Sequence, residues 1–192
     1  MVAERDLLVA VLAAGRGARF GGEKLDAPCA GRRLGDWTLD AVTRAGLAAG
    51  MIVVPTDPPQ FATASGWLLL HNERAESGLG TSLACVARKA KARDCDLLVL
   101  LADMPLVDPA HLRALAASTG LAATRYPSGR PGVPARFPRA SLDALSVLEG
   151  DRGAGAWLVQ QAGLTLVDPP EDMLLDVDTP AALACAERML AG

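Results

Sequence analysis

The sequence predicts an α/β protein with a mostly parallel sheet, and three observations carry the prediction. Short apolar runs such as "LLVAVLAA" at 7–14 and "DLLVLLA" at 96–102, which only Asp96 interrupts, have the composition of strands buried on both faces. Longer segments with apolar residues at helical spacing stand between them. The alternation runs through the chain without an internal repeat, a low-complexity tract or a long linker. Residues 1–192 are therefore expected to form one domain.

Taken in order, the strand candidates are 7–14, 51–55, 67–71 and 96–102, with weaker ones at 121–126, 164–169 and 173–178. The helices are expected at 36–50, capped by Asp36 and closed by Gly50, and at 81–93, opening at Thr81-Ser82. Two more are expected at 108–118 and 179–191, each opening with a capping residue followed by proline. The segment 126–140, dense in Pro, Gly and Arg, reads as a surface excursion or a hairpin. In an open parallel sheet, ligands lie beyond the carboxyl ends of the strands. That rule marks residues 13–24, 71–82, 102–108 and 176–179.

Composition narrows the partners. A chain of 192 residues with 51% apolar and 21% charged residues can bury a sizeable core as a globular protein. A formal net charge of −3 leaves no basic footprint for nucleic acid or an anionic membrane. Cys29, Cys85, Cys95 and Cys185 form no C-x-x-C pair, and His71 and His111 lie far apart, so zinc spacing is missing and the thiols read as reduced. His71 itself reads as a strand-edge residue. No stretch has the pattern of a signal peptide or the ~20 apolar residues of a membrane span, so the cytoplasm is the expected compartment.

The stretch "AAGRGARFGGEKL" is the richest in chemistry. It is neither a P-loop, because Glu23 stands where Lys is needed, nor a dinucleotide fingerprint, because Phe20 stands at the third glycine. Its glycines still allow consecutive N–H groups to turn toward an anion. Arg16, Arg19 and Lys24 add charge suited to phosphate. Farther on, Asp103 follows an apolar strand, where a carboxylate is placed to hold a divalent cation, and Met104-Pro105 fixes an extended exit. In "LLDVDTPAAL", Asp176 and Asp178 are two residues apart and point to one side if the strand continues. Two such aspartates beside a triphosphate would make a Mg²⁺ site.

The segments L-A-A-G-x-G-x-R-F-G-G-x-K-L, L-A-D-M-P and D-V-D-T-P, in that order, resemble the MobA-like nucleotidyltransferases, and among them the molybdenum cofactor cytidylyltransferases. The resemblance spans residue 8 to about 185. It implies a Rossmann-like three-layer domain with a mixed, mostly parallel sheet of seven strands. It implies that Leu12, Ala13, Ala14, Gly15 and Gly17 bind the nucleotide, with the backbone of Ala13 to Gly15 against base and sugar. Arg19 would hold the triphosphate and Lys24 would reach the reacting phosphates. Asp103 and Asp178 would be the metal ligands, with Asp176 a structural turn or cap partner. The family segment matching G-L-G-T-S-L lies against the base, which points to Ser82 and to close backbone approach at Gly80. "GRPGVPARF" and "LEGDRGAGAWL" would face the pterin, through Asp151 and Arg152. Many relatives carry His where Val133 stands, a departure that touches the acceptor side.

The implied reaction moves CMP from CTP onto the terminal phosphate of molybdopterin and releases pyrophosphate, with Mg²⁺ as cofactor. Lys24, Arg19 and Asp103 would carry the chemistry. An acceptor phosphate is already ionised at neutral pH, its second pKa being near ~6, so no enzymic base is required. Relatives acting on GTP read L-A-G-G where this chain reads L-A-A-G, and the extra methyl of Ala14 suits the smaller pyrimidine. Three alternatives stay open: a guanylyltransferase on the same acceptor, a sugar- or alditol-phosphate nucleotidyltransferase, and a non-catalytic cofactor-binding chaperone. The implied partners are small molecules, with transient contact to a client molybdoenzyme or its chaperone.

Overall fold

A computed structural model describes residues 7–15, 20, 23–150 and 153–191. Its strands, in chain order, are β1 (Leu7–Leu12), β2 (Pro28–Cys29), β3 (Arg32–Arg33), β4 (Met51–Val54), β5 (Leu68–His71), β6 (Asp96–Leu101), β7 (Ala122–Arg125), β8 (Pro131–Phe137) and β9 (Thr165–Val167). The helices are α1 (Leu34–Arg44), α2 (Gln60–Ala64), α3 (Leu79–Ala92), α4 (Pro109–Ala117), α5 (Leu142–Leu145), α6 (Ala154–Leu158) and α7 (Pro180–Ala191). Strands β2 and β3 form a small hairpin, and the other seven make one sheet in the order β5-β4-β1-β6-β8-β7-β9. Only β8 runs against its neighbours β6 and β7, so the sheet is mixed and mostly parallel, as expected.

Side chains alternate along a strand, and β1 shows what that does to the interior. Val9 and Val11 enter a core with α1, α2, α4 and α7, through Leu34, Phe61, Leu112 and Ala186. Leu8, Ala10 and Leu12 enter a second core with α3, α5 and α6, through Leu83, Leu142 and Leu158. Burial on both faces is what made these runs apolar in sequence. The carboxyl ends of β1, β4, β5 and β6 share one edge, and the loops of interest leave from it.

Helix α1 begins at Leu34, with Asp36 in its first turn accepting from the Arg33 amide at 3.3 Å. It stops at Arg44, six residues before the expected Gly50. Gly46 turns left-handed at φ 73°, its N–H donates to the Thr43 carbonyl and the Leu47 N–H to the Val42 carbonyl, a double closure that ends a helix. Gly50 serves the sheet instead. A Cβ there would lie 1.9 Å from the Val9 carbonyl oxygen, so only glycine lets β4 begin this close to β1. Helix α3 starts at Leu79 after Gly78 at φ 111°, two residues before the expected Thr81. At α4 and α7 the expected caps hold: Asp108 accepts from His111 N at 2.8 Å and Thr179 Oγ1 from Ala182 N at 3.2 Å.

Two expectations are corrected. Residues 173–178 make no strand; left-handed Asp172 (φ 64°) turns the chain, and one ladder-like bond, Val177 N to the Asp103 carbonyl at 3.0 Å, ties the segment to the chain just beyond β6. Of the two readings of 126–140, the surface excursion is wrong and the hairpin is right: residues 131–137 are the buried antiparallel strand β8, paired with β7. The sheet tolerates its prolines for a physical reason. Pro131 opens the strand, and Pro134 sits where the β7–β8 register shifts, so neither amide is missed by a regular ladder.

Candidate active site

At the carboxyl edge, three elements far apart in sequence converge on one cluster of charge. Lys24 Nζ donates to Asp103 Oδ2 at 2.7 Å and to Asp178 Oδ1 at 2.9 Å. The carboxylate oxygens of Asp103, Asp176 and Asp178 come within 4.8 Å of one another. Each side chain is positioned by its own element. Asp103 lies just beyond β6, and its carbonyl accepts the Val177 amide and so draws Asp176 and Asp178 in. Lys24 opens a single 3₁₀ turn, Lys24–Asp26, pinned on both sides. Leu25 is buried, and Asp26 accepts from the amides of Gln60 (2.7 Å) and Phe61 (2.6 Å) at the start of α2.

The electrostatics follow from the crowding. Burial alone would lower the Lys24 ammonium, but the Asp103 charge and the bonds to Asp103 and Asp178 outweigh it and raise its pKa. Asp176 is pushed up to about 7, by burial of its carboxyl and by the charges of Asp103 and Asp178, against the opposing pull of Lys24. Three carboxylates this close, with one ammonium already seated on two of them, form a place built for positive charge. Hard oxygen donors of this kind suit Mg²⁺ or Mn²⁺.

Two cavities open at this edge, and Lys24 lines one of them. The first, about 540 Å³, lies on the α3 and α6 side, and Leu12, Leu79, Leu83, Tyr126, Val133 and Ala154 are among its walls. The second, about 370 Å³, lies on the α2 side and touches Ala13, Gly15, Lys24, Pro55, Asp57 and Gln60. The alternation of β1 sends Leu12 to one cavity and Ala13 to the other.

The expected residues are distributed as follows. Lys24, Asp103 and Asp178 are brought together, and Asp176, read as a structural partner, stands in the same cluster. Leu12, Ala13 and Ala14 are buried at the end of β1, where the Leu12 carbonyl accepts from Ala102 N and Ala13 N donates to the Val53 carbonyl, and Gly15 is exposed beyond them. Gly17, Arg19, Asp151 and Arg152 lie outside the described residues. Gly80 N donates to the Gly150 carbonyl at 2.9 Å, and Ser82 is buried beneath the loop that follows β5. His71 ends the edge strand β5, its Nδ1 3.3 Å from the Pro55 carbonyl oxygen.

Sequence reasoning missed Asn72. Its Nδ2 donates to Thr81 Oγ1 (2.9 Å) and Ser82 Oγ (3.0 Å), and its Oδ1 accepts from Arg74 N (3.0 Å), so one buried amide ties the loop after β5 to the start of α3. The available signal was an asparagine directly after a strand, at a ligand-bearing edge.

Comparison with known proteins now decides the family. The profile of the MobA-like NTP transferase domain matches residues 9–164. The chain belongs to the MobA-like NTP transferase family. It is a nucleotidyltransferase, and its sheet and flanking helices are the family's Rossmann-like fold. It is similar to purine catabolism protein PucB of Bacillus subtilis (strain 168), at 29% identity over 96% of this chain and 97% of that one. It resembles the crystal structure of Rv0371c from Mycobacterium tuberculosis H37Rv, at 26% identity and a TM-score of 0.78, over 95% and 97% of the two chains. A second Rv0371c structure, a complex with manganese, aligns at 24% identity and a TM-score of 0.73 over 95% and 98%. A nucleotidyl transferase from Methanothermobacter thermautotroptrophicus (Mth528) shares the fold at 22% identity and a TM-score of 0.76 over 96% and 97%. Among the described residues, no helix is long and apolar enough to cross a membrane.

Proposed function

We propose that this nucleotidyltransferase moves CMP from CTP onto the terminal phosphate of molybdopterin and releases pyrophosphate. The observation that carries the proposal is the convergence of Lys24, Asp103 and Asp178 at the carboxyl edge of the sheet, with Lys24 on the wall of a cavity that Ala13 and Gly15 also line. A phosphate oxygen of the acceptor attacks the α-phosphorus of CTP, a new P–O–P bond forms, and the bond from the α-phosphorus to pyrophosphate breaks. The attacking phosphate is ionised at neutral pH, so the protein need not remove a proton. Its work is positioning and charge stabilisation.

In this reading Leu12, Ala13, Ala14, Gly15 and Gly17 cradle the nucleotide, and Arg19 holds the triphosphate. Lys24 binds the reacting phosphates as a fixed point charge, aimed by the Asp26 anchor on α2. Gly80 and Ser82 approach the base, with Gly80 tied to the Gly150 carbonyl and Ser82 to Asn72. Asp103 and Asp178, with Asp176 beside them, would hold Mg²⁺ or Mn²⁺; the manganese complex of Rv0371c supports a divalent cation here. When bound, the cation supplies neutralisation of phosphate charge. Ala14, where glycine would leave more room, favours a pyrimidine.

The test uses molybdopterin and CTP labelled at its α-phosphate. The label is expected in a pterin product, with unlabelled pyrophosphate released. Label remaining in CTP, or a product formed only from labelled GTP, would overturn the proposal.

A further inference from the structure

The larger cavity has walls from three elements: Leu79 and Leu83 of α3, Ala154 and Ala156 of α6, and Tyr126 and Val133 of the β7–β8 hairpin. Most of these groups are apolar, and the polar side chains Ser128 and Arg130 stand exposed. Leu79 is one of the few large apolar residues left open, at 36% exposure, and it lines this space. A polyhydroxylated sugar placed against such walls would lose hydrogen bonds to water without replacement. A flat heterocycle can lay its apolar face on such walls and keep its polar edge toward the open side.

Tyr126 is held in place twice over. Its hydroxyl donates to the Val133 carbonyl at 2.8 Å, which commits the polar end and leaves the ring as cavity wall. Gly132 lies directly against the ring, where a Cβ would approach Cε2 at 2.4 Å and Cδ2 at 2.9 Å. The ring also feels the acid cluster: burial, with Asp176 and Asp103 nearby, pushes the phenol up to about 12. Tyr126 therefore lines the apolar space within electrostatic reach of the acid cluster. Ala13, Gly15 and Lys24 border the other cavity, where the proposed reading seats the triphosphate, and Leu12, the nucleotide residue that faces the apolar cavity, stands where the two substrates meet.

We infer that Tyr126, seated by Gly132 and the Val133 carbonyl, is the specificity-determining wall of an acceptor pocket that takes a planar heterocycle by stacking on its ring and excludes sugar phosphates. The inference rests on the acceptor reading given above. It adds the residue pair that selects the acceptor class.

Tyr126 is the one tyrosine of the chain, so ¹³C-tyrosine labelling of the full-length protein gives a single set of ring signals. Pterin-6-carboxylate is expected to shift them upfield, whereas glucose 1-phosphate leaves them in place. No shift with the pterin, an equal shift with the sugar phosphate, or a shift on addition of CTP with Mg²⁺ alone would overturn the inference. Kinetics give a second arm. Tyr126→Ala is expected to raise KM for molybdopterin about tenfold, in line with loss of one stacking contact, with KM for CTP unchanged. Tyr126→Phe should stay close to wild type, and Gly132→Ala should follow Tyr126→Ala. An unchanged acceptor KM in Tyr126→Ala would also overturn it. If Gly132→Ala fails to fold, the labelled wild type and Tyr126→Ala still decide. The two readings fail differently. Product formed from molybdopterin with a silent Tyr126 signal sinks this inference alone. A pterin-responsive Tyr126 without any product from molybdopterin sinks the transfer reading and leaves the pocket.

Discussion

At the scale of the residue, the cluster concentrates the most charge in the least space. Lys24 is 7% exposed, while Asp103 and Asp178 keep 21% and 46% exposure. Lys24→Met would strand two carboxylates that retain some water, so a loss of about 1–3 kcal/mol is expected in denaturant unfolding, below the ~3–5 kcal/mol of a fully buried pair. Nucleotidyl transfer in the same variant should fall by at least about a hundredfold, the scale of losing one preorganised charge-stabilising group. Asp176 sets the opposite trend. Its folded pKa, about 7, lies above the ordinary carboxyl value, so the folded state binds the extra proton and stability declines as pH rises toward 7. Asp176→Asn should therefore be more stable than wild type above pH 7 in thermal unfolding; equal stability would remove the like-charge account. The place of Asp103 at the carboxyl edge was legible because it directly follows an apolar run that reads as a buried strand, and Lys24 was marked by the charged, glycine-rich segment after β1. The place of Asp176 was not, because it depends on the Val177–Asp103 backbone bond, which joins residues far apart in the chain.

At the scale of the element, two contacts invite measurement. Gly50 admits no Cβ against the Val9 carbonyl, so Gly50→Ala must push β4 from β1. A loss of about 1–3 kcal/mol or more in denaturant unfolding is expected, as for other overpacked sites. His111 on α4 is buried, with Nε2 2.8 Å from Thr124 Oγ1 of β7. Burial lowers its pKa, against smaller opposing effects of the Asp168 backbone and the Asp108 charge. Below the unfolded value of 6.5 the unfolded chain gains the proton first. The contribution of His111 is thus intact above pH 6.5 and is lost as pH falls from there through the depressed folded value. The difference in Tm between wild type and His111→Gln should change with the acid slope below pH 6.5, and a pH-independent difference would contradict the assignment. Helix caps and parallel strands were legible here because their signals are local. Strand β8 was not: prolines and glycines argued for a loop, and only the register shift against β7 and the burial of Val133, Ala135 and Phe137 made a strand of it.

At the scale of the whole molecule, alternation along β1 divides one edge into two rooms. Leu12 faces the apolar cavity and Ala13 the more polar one, with the acid cluster nearby. That division follows from sheet geometry, yet no local pattern announces it, since the walls come from α3, α6 and the β7–β8 hairpin. A cation held at the cluster must stabilise the fold by mass action, about 2.7 kcal/mol at a hundred times its Kd. Mg²⁺ or Mn²⁺ should raise the Tm of wild type and leave that of Asp103→Ala unmoved. The central claim is cytidylyl transfer at this cluster. The most direct measurement is pyrophosphate release with molybdopterin and Mg²⁺, comparing CTP, GTP, ATP and UTP in wild type and in Asp103→Ala. Release with CTP alone, abolished in the variant, is the predicted result; release with GTP in its place, or release that survives in Asp103→Ala, would contradict it.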